Sequence, residues 1–170
     1  MQAHNAPKDA PDVVVHPPVL FAGALVLGAL CQRLWPLWFS ATNGPWRESW
    51  PGGDIMVIKT LGWGVLVLGF VYAGAAIVKF RRAGTGIPTF HAATALVTDG
   101  IYRFTRNPMY VGAILMQTGV ALLLANGWLL LLLAPVLAVL RWGVVAREEA
   151  YMEAKFGAAY RDYRARVRRF

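Results

Sequence analysis

Long apolar runs leave this chain very few ways to fold. Four of them extend from about Pro18 to Trp38, Ile55 to Phe80, Pro108 to Ala125 and Trp128 to Ala146. Each has about the length that crosses a bilayer. In hydrocarbon every backbone N–H and C=O must be satisfied within the protein, and a lone segment achieves that only as a helix. A soluble domain of 170 residues would not hold 57% hydrophobic and 15% charged residues at a mean hydropathy of +0.46. The sequence therefore predicts an all-α polytopic membrane bundle of about four transmembrane helices with a cytoplasmic helical extension. It reads as one integral membrane domain over 1–170: a polar tail at 1–17, two helices and their loops at 18–93, and a second half at 94–170 that holds the motifs.

Charge orients that bundle. The stretch from Lys79 to Asn107 carries Lys79, Arg81, Arg82, Arg103 and Arg106, and the tail from Arg141 carries Arg141, Arg147, Lys155, Arg161, Arg164, Arg166, Arg168 and Arg169. These are most of the 17 basic residues. The loop from Phe39 to Asp54 sets Arg47 against Glu48 and Asp54, and the Asn126-Gly127 link is uncharged. By the positive-inside rule both termini and the second loop are cytoplasmic, as expected for a protein of the bacterial inner (plasma) membrane. The formal charge of +8 flanks apolar spans, so it suits an anionic leaflet and not nucleic acid. Residues 1–17 lack the basic opening of a cleaved signal peptide, so the first helix is expected to stay. Cys31 is the single cysteine, and no spacing of Cys or His suggests a metal site. Trp35, Trp38, Trp46, Trp50, Trp128 and Trp142 fall near predicted helix ends, where interfacial tryptophans belong. Gly62, Gly64, Gly69 and Gly74 in the second run would let neighbouring helices pack closely.

The richest stretch is Gly100-Ile101-Tyr102-Arg103-Phe104-Thr105-Arg106-Asn107-Pro108-Met109-Tyr110-Val111-Gly112. Asn107 reads as an N-cap whose side chain accepts from an orphan N–H, and Pro108 as the first helical residue. A helix starting beside Arg103 and Arg106 offers an anion its free N–H groups, its dipole and two guanidinium forks. Asn126-Gly127 predicts a tight turn that folds the third and fourth helices into an antiparallel hairpin. Arg106 and Glu148 lie equally far from Gly127, so the basic motif should meet Arg147-Glu148-Glu149 at the cytoplasmic interface. Pro135 can kink the fourth helix and move this register by a residue or two. Two carboxylates opposite two arginines suit a ligand bearing both signs of charge; the plainer alternative is ion pairing that ties the helix ends together. Arg141, seven residues before Glu148, either snorkels or lines the pocket. Gln117 within the third run should face a helix or a cavity, either bonding between helices or touching substrate. Gly157 is expected to end the helix after the glutamates, with a basic helix following.

These residues resemble a family. Leu96-Val97-Thr98-Asp99-Gly100-Ile101-Tyr102-Arg103, Arg106-Asn107-Pro108-Met109-Tyr110-Val111-Gly112, Glu148-Glu149 and Phe156-Gly157-Ala158-Ala159-Tyr160 are together similar to the isoprenylcysteine carboxyl methyltransferase and phospholipid methyltransferase superfamily of integral membrane enzymes. The resemblance covers about Thr94 to Tyr163 and implies methyl transfer from S-adenosylmethionine to a hydrophobic or lipid-like acceptor. It places Tyr102, Arg103, Arg106, Pro108, Tyr110 and Gly112 on one wall of the cofactor site and Glu148 and Glu149 on the other. Arg106, Tyr110 and Glu149 are its candidate catalytic residues, with Arg141 and Gln117 toward the acceptor. Asn107 stands where the eukaryotic isoprenylcysteine enzymes commonly have His, which weakens the case for a prenylcysteine acceptor. Phosphatidylethanolamine N-methylation is the enzymatic alternative, and a non-catalytic protein keeping the fold is the alternative of another class. Gly112 equally suits close packing on a neighbouring helix.

Overall fold

The computed structural model describes residues 11–37, 53–87, 89 and 92–170. Those residues are helical apart from connecting turns, with no strand among them. Helix α1 spans Pro17–Leu34, α2 Gly53–Arg82 and α3 Pro108–Leu123, with a 3₁₀ turn at Gly100–Arg103 ahead of α3. A last rod comprises α4 (Gly127–Leu131), α5 (Leu133–Ala138), a π-helical segment at Val139–Val145 and α6 (Ala146–Phe156). Helix α7 (Ala158–Arg166) follows after Gly157.

Three helical stretches, Pro17–Leu34, Met56–Arg82 and Gly127–Phe156, are long and apolar enough to cross a membrane. The protein is thus an integral membrane protein. The third predicted span is a shorter apolar helix of 16 residues, about 24 Å of rise. It packs along α2, and that contact is the most extensive in the fold. Glycines make it possible: a Cβ on Gly69 would lie 2.7 Å from the Gly112 carbonyl oxygen, and one on Gly119 would lie 2.7 Å from the Leu66 nitrogen. Gly62 also meets α3, at Leu123, whereas Gly64 and Gly74 face open space. Without a hydrophobic drive between helices in lipid, such close backbone approach is a main source of association.

The hairpin forms where Asn126-Gly127 predicted it. The Asn126 side chain accepts from the Leu129 N–H at 3.3 Å and donates to the Gly28 carbonyl at 3.2 Å, which ties the turn to α1. Gly127 is required because its N–H donates to the Leu37 carbonyl at 2.8 Å, and a Cβ there would sit 2.9 Å from that oxygen. The rod continues past the apolar run to Phe156, since Arg147 to Lys155 carry enough helix formers to prolong it into the interface. Gly157, at φ 56°, ends it as expected.

At one end of the bundle the Val14 N–H donates to the Gly143 carbonyl, and Arg147 Nη1 donates to the Asp12 carbonyl at 2.7 Å. The start of α1 is thereby held beside the π segment and α6. Near the opposite end of α1, Trp128 Nε1 donates to the Trp35 carbonyl at 2.6 Å. The expectations for Trp38, Trp46 and Trp50 and for the charges of Arg47 and Glu48 lie outside the described residues.

Candidate functional site

Pro108 starts α3 as predicted, with the N–H groups of Tyr110 and Val111 both donating to the Asn107 carbonyl at 3.1 Å. The Asn107 side chain does something else: it makes no cap, and Nδ2 donates 3.0 Å to the Arg169 carbonyl. A segment sixty residues away takes the amide, which local sequence could not reveal. Thr105 Oγ1 donates to the same carbonyl at 2.9 Å, and the Arg106 N–H to the Arg168 carbonyl at 3.0 Å. The stretch 167–170 is thus stitched along the loop before α3.

Glu148 and Glu149 are both buried on α6 but face different partners, as neighbours about 100° apart on a helix must. Glu149 takes Arg106 Nη2 at 2.9 Å and Arg169 through Nε at 3.1 Å and Nη2 at 2.5 Å. Glu148 Oε1 accepts from the Tyr110 hydroxyl at 2.7 Å and from Thr89 Oγ1. Thr89 and Tyr110 are themselves 3.0 Å apart. Thr89 carries no motif, and its position between α2 and α3 gave no sign that it would reach Glu148.

A small cavity of about 70 Å³ lies among these groups. Of the residues predicted from the sequence, Tyr102, Arg106, Pro108, Tyr110, Glu148 and Glu149 line it, with Tyr160 and Tyr163 from α7. Two N–H groups of Arg106, on Nε and Nη1, and the Tyr102 hydroxyl are buried there without a partner. Buried guanidinium donors are expensive to leave unmatched, so this wall is prepared for an acceptor group. Burial pushes the Tyr160 hydroxyl up to about 12, with the Glu149 charge adding to the rise and Arg106, Arg164 and Arg169 opposing it. Burial likewise raises Tyr102 and Tyr163, so all three phenols stay protonated at neutral pH. The Tyr163 hydroxyl donates to the Tyr102 carbonyl at 2.8 Å and locks α7 onto the 3₁₀ turn.

Three expected site residues lie elsewhere. Arg103 is exposed and faces a separate shallow groove with Asp99 and Arg166, because the 3₁₀ turn ends at Arg103 and the chain changes direction before Arg106. Gly112 lies against Gly69 and Ala73 of α2, so it serves helix packing and not the cavity wall. Arg141 is exposed beside the Trp142 ring, 5.9 Å from its centroid, as a snorkelling arginine would be.

Gln117 lines a second, larger cavity of about 420 Å³ bounded by Pro17, Phe21 and Leu25 of α1, Ile77 of α2, and Ala113, Met116 and Val120 of α3. Its Nε2 donates to the Leu129 carbonyl at 3.0 Å. Apart from Gln117, Thr89 and Tyr110 this cavity is apolar. Thr89, Met109 and Tyr110 line both cavities, so the polar site and the apolar one share a wall.

The comparisons with known proteins agree with this architecture. The model of the phospholipid methyltransferase family matches residues 57–159, well over half the chain. The chain belongs to that family. Arg106, Tyr110, Glu148, Glu149 and the second cavity's α2 and α3 walls all fall within the matched region. Among curated proteins, the chain is 35% identical over 113 residues to the protein-S-isoprenylcysteine O-methyltransferase of Schizosaccharomyces pombe, covering 65% of this chain and 48% of that one. It is 29% identical to protein-S-isoprenylcysteine O-methyltransferase B of Arabidopsis thaliana, over 65% of this chain and 57% of the relative. The A form from the same plant is 28% identical over 62% and 55%. The chain spans about half the length of the curated relatives it matches. No solved structure matches it significantly. The resemblance drawn from the sequence motifs is borne out at the level of the family.

Proposed function

We propose that this protein is an S-adenosylmethionine-dependent methyltransferase of the membrane, similar to the isoprenylcysteine carboxyl methyltransferases, that modifies a hydrophobic or lipid-like acceptor. The observation that carries this reading is the buried Arg106, with two unmatched N–H groups, facing two buried carboxylates beside an apolar cavity. S-adenosylmethionine carries a carboxylate, an ammonium and a sulfonium, and when bound it supplies an activated methyl group. Arg106 and the Tyr102 hydroxyl suit the carboxylate; Glu149 suits the ammonium. The donor set fits the group.

The apolar cavity suits the acceptor's chain, entering sideways between α1 and α2 from the bilayer. Its reacting end would then lie at Thr89, Tyr110 and Glu148, on the shared wall. Displacement at an activated methyl needs alignment and exclusion of water, and no enzyme nucleophile. Arg106, Tyr110 and Glu149 are the residues we assign to the reaction centre. A carboxylate acceptor needs only orientation there. An amine acceptor must lose a proton, and the buried Glu148 beside Tyr110 can take it. That feature and the family's name favour phosphatidylethanolamine N-methylation as the second reading. Basic residues crowd the loop before α3 and the tail after α6, which supports a cytosolic face for this end in a plasma membrane.

Titration of the protein in lipid nanodiscs with labelled S-adenosylmethionine tests the donor. Saturable binding is expected, and none would refute the enzyme reading. Incubation with methyl-labelled donor and a total membrane extract then identifies the acceptor: a labelled ester supports the first reading, a labelled quaternising headgroup the second.

A further inference from the structure

Arg169 pairs with Glu149, the carboxylate assigned above to the proposed donor's ammonium. Its guanidinium grips both oxygens of Glu149, through Nε at 3.1 Å and Nη2 at 2.5 Å. Its carbonyl accepts from Thr105 and Asn107, and the Arg168 carbonyl accepts from the Arg106 N–H. Four residues, Val167 to Phe170, therefore lie as a strap along the loop that presents Arg106.

Charge sharpens this. Around Glu149, Arg106 and Arg169 already set two guanidinium groups against one carboxylate, so nothing there attracts a further cation. S-adenosylmethionine is a net monocation. If it entered beside a retained Arg169, one positive charge would be left over in a buried place, which is costly. If Arg169 leaves, one positive charge replaces another and the balance is kept. The side chain is suited to leaving: it is 27% exposed, against 10% for Arg106.

We propose that Arg169 is a resident surrogate for the donor's ammonium on Glu149, so that donor binding and release of the strap are one exchange. The inference rests on the donor reading above and deepens it. Arg106 remains as the fixed arginine of the site and Arg169 is the exchangeable one. The strap holds the loop that presents Arg106, and donor entry is limited by release of Arg169 from Glu149.

The test compares wild type with Arg169→Gln and Arg169→Lys in lipid nanodiscs. Association of tritiated S-adenosylmethionine is followed in time, and hydrogen exchange is followed in a peptide covering 104–108, which holds the Arg106 amide. In wild type the association rate should level off as donor concentration rises, because opening becomes limiting. Arg169→Gln removes a charge-assisted bidentate pair and should speed association roughly tenfold or more, with Arg169→Lys between the two. Saturating donor should raise exchange of the Arg106 amide, whose N–H donates to the Arg168 carbonyl, in wild type, which a merely structural arginine would not show. Equal association rates in wild type and Arg169→Gln, or an Arg106 amide that stays protected with donor bound, would overturn the surrogate while leaving the donor reading intact. No saturable donor binding in wild type would overturn both. Unchanged exchange along α3 in the variants reports that the fold is kept; a general rise there with slower association counts against the proposal.

Discussion

Replacing Gly112 with alanine should weaken the α2 and α3 contact measurably, and Gly64→Ala supplies the internal reference. A Cβ at Gly112 would lie 2.8 Å from the Ala73 nitrogen, 2.8 Å from the Gly69 oxygen and 3.0 Å from the Ala73 Cβ. Two of these three atoms are backbone, so no side chain can turn aside. Relief to ordinary contact requires the helices to part by roughly 0.6 to 1 Å, and overpacking of this kind typically costs about 1–3 kcal/mol. Alanine also gains up to about 1 kcal/mol of helix propensity over glycine. Gly64 has nothing within 4 Å of the same added atom, so Gly64→Ala takes the propensity gain alone. The difference between the two variants isolates the contact at about 1–3 kcal/mol, or roughly fivefold to 150-fold in the unfolding constant. Reversible unfolding in mixed micelles with rising denaturing detergent, followed by circular dichroism, measures it. Because α3 also carries Tyr110, Gly112→Ala should lower methyl transfer too, since displacements near 1 Å can matter a hundredfold. Equal stabilities of Gly112→Ala and Gly64→Ala would refute the reasoning, because then the helices are not held by backbone proximity.

Other perturbations separate the parts of the site. Glu149→Gln leaves Arg106 and Arg169 without a counter-charge and should destabilise the protein by about 3 kcal/mol, while lowering donor affinity at least tenfold in a binding titration. Thr89→Val keeps the shape but removes one donor to Glu148; stability should fall by no more than about 1 kcal/mol, while kcat drops and the KM for donor holds, measured by methyl transfer. The Lys79 ammonium bonded to Asp99 holds that carboxyl below its ordinary value. The stability from this pair is therefore present above the unfolded pKa and lost as pH falls through the folded one. Asp99→Asn should be slightly less stable than wild type at pH 7, and the gap should close as pH falls through the folded pKa, a small difference because the pair is exposed.

Features whose cause is local were legible in the sequence. Pro108 fixes a helix start, Asn126-Gly127 a turn and Gly157 a stop, because each depends on the residue's own backbone chemistry. The meeting of Arg106 with the glutamates followed from counting along two rods, a matter of constant rise per residue. What could not be read depends on chain segments far apart in sequence. Asn107 has the composition of a cap, but the carbonyl of Arg169 captures its amide. Arg103 and Arg106 look equivalent as text; a 3₁₀ turn ending between them sends one outward. Arg169 was one of many basic residues in a tail, and Thr89 one polar residue in a loop, until the fold brought both onto α6. Gly112 admitted two readings from sequence, and only the position of α2 decides which surface it meets.

The π-helical stretch from Val139 to Val145 has a consequence for how this protein can change in length. A π turn closes its hydrogen bonds one residue later than an α turn, so it is the shape a helix takes when it holds a surplus residue. The surplus sits directly ahead of Glu148 and Glu149. Loss of one residue here, such as the exposed Trp142, lets the stretch rewind as α-helix with both carboxylates still aimed at their partners. Gain of one residue has no such slack to take up and swings the pair by about 100°. Descendants of this sequence can therefore shorten at this place and keep the site, but they cannot lengthen there.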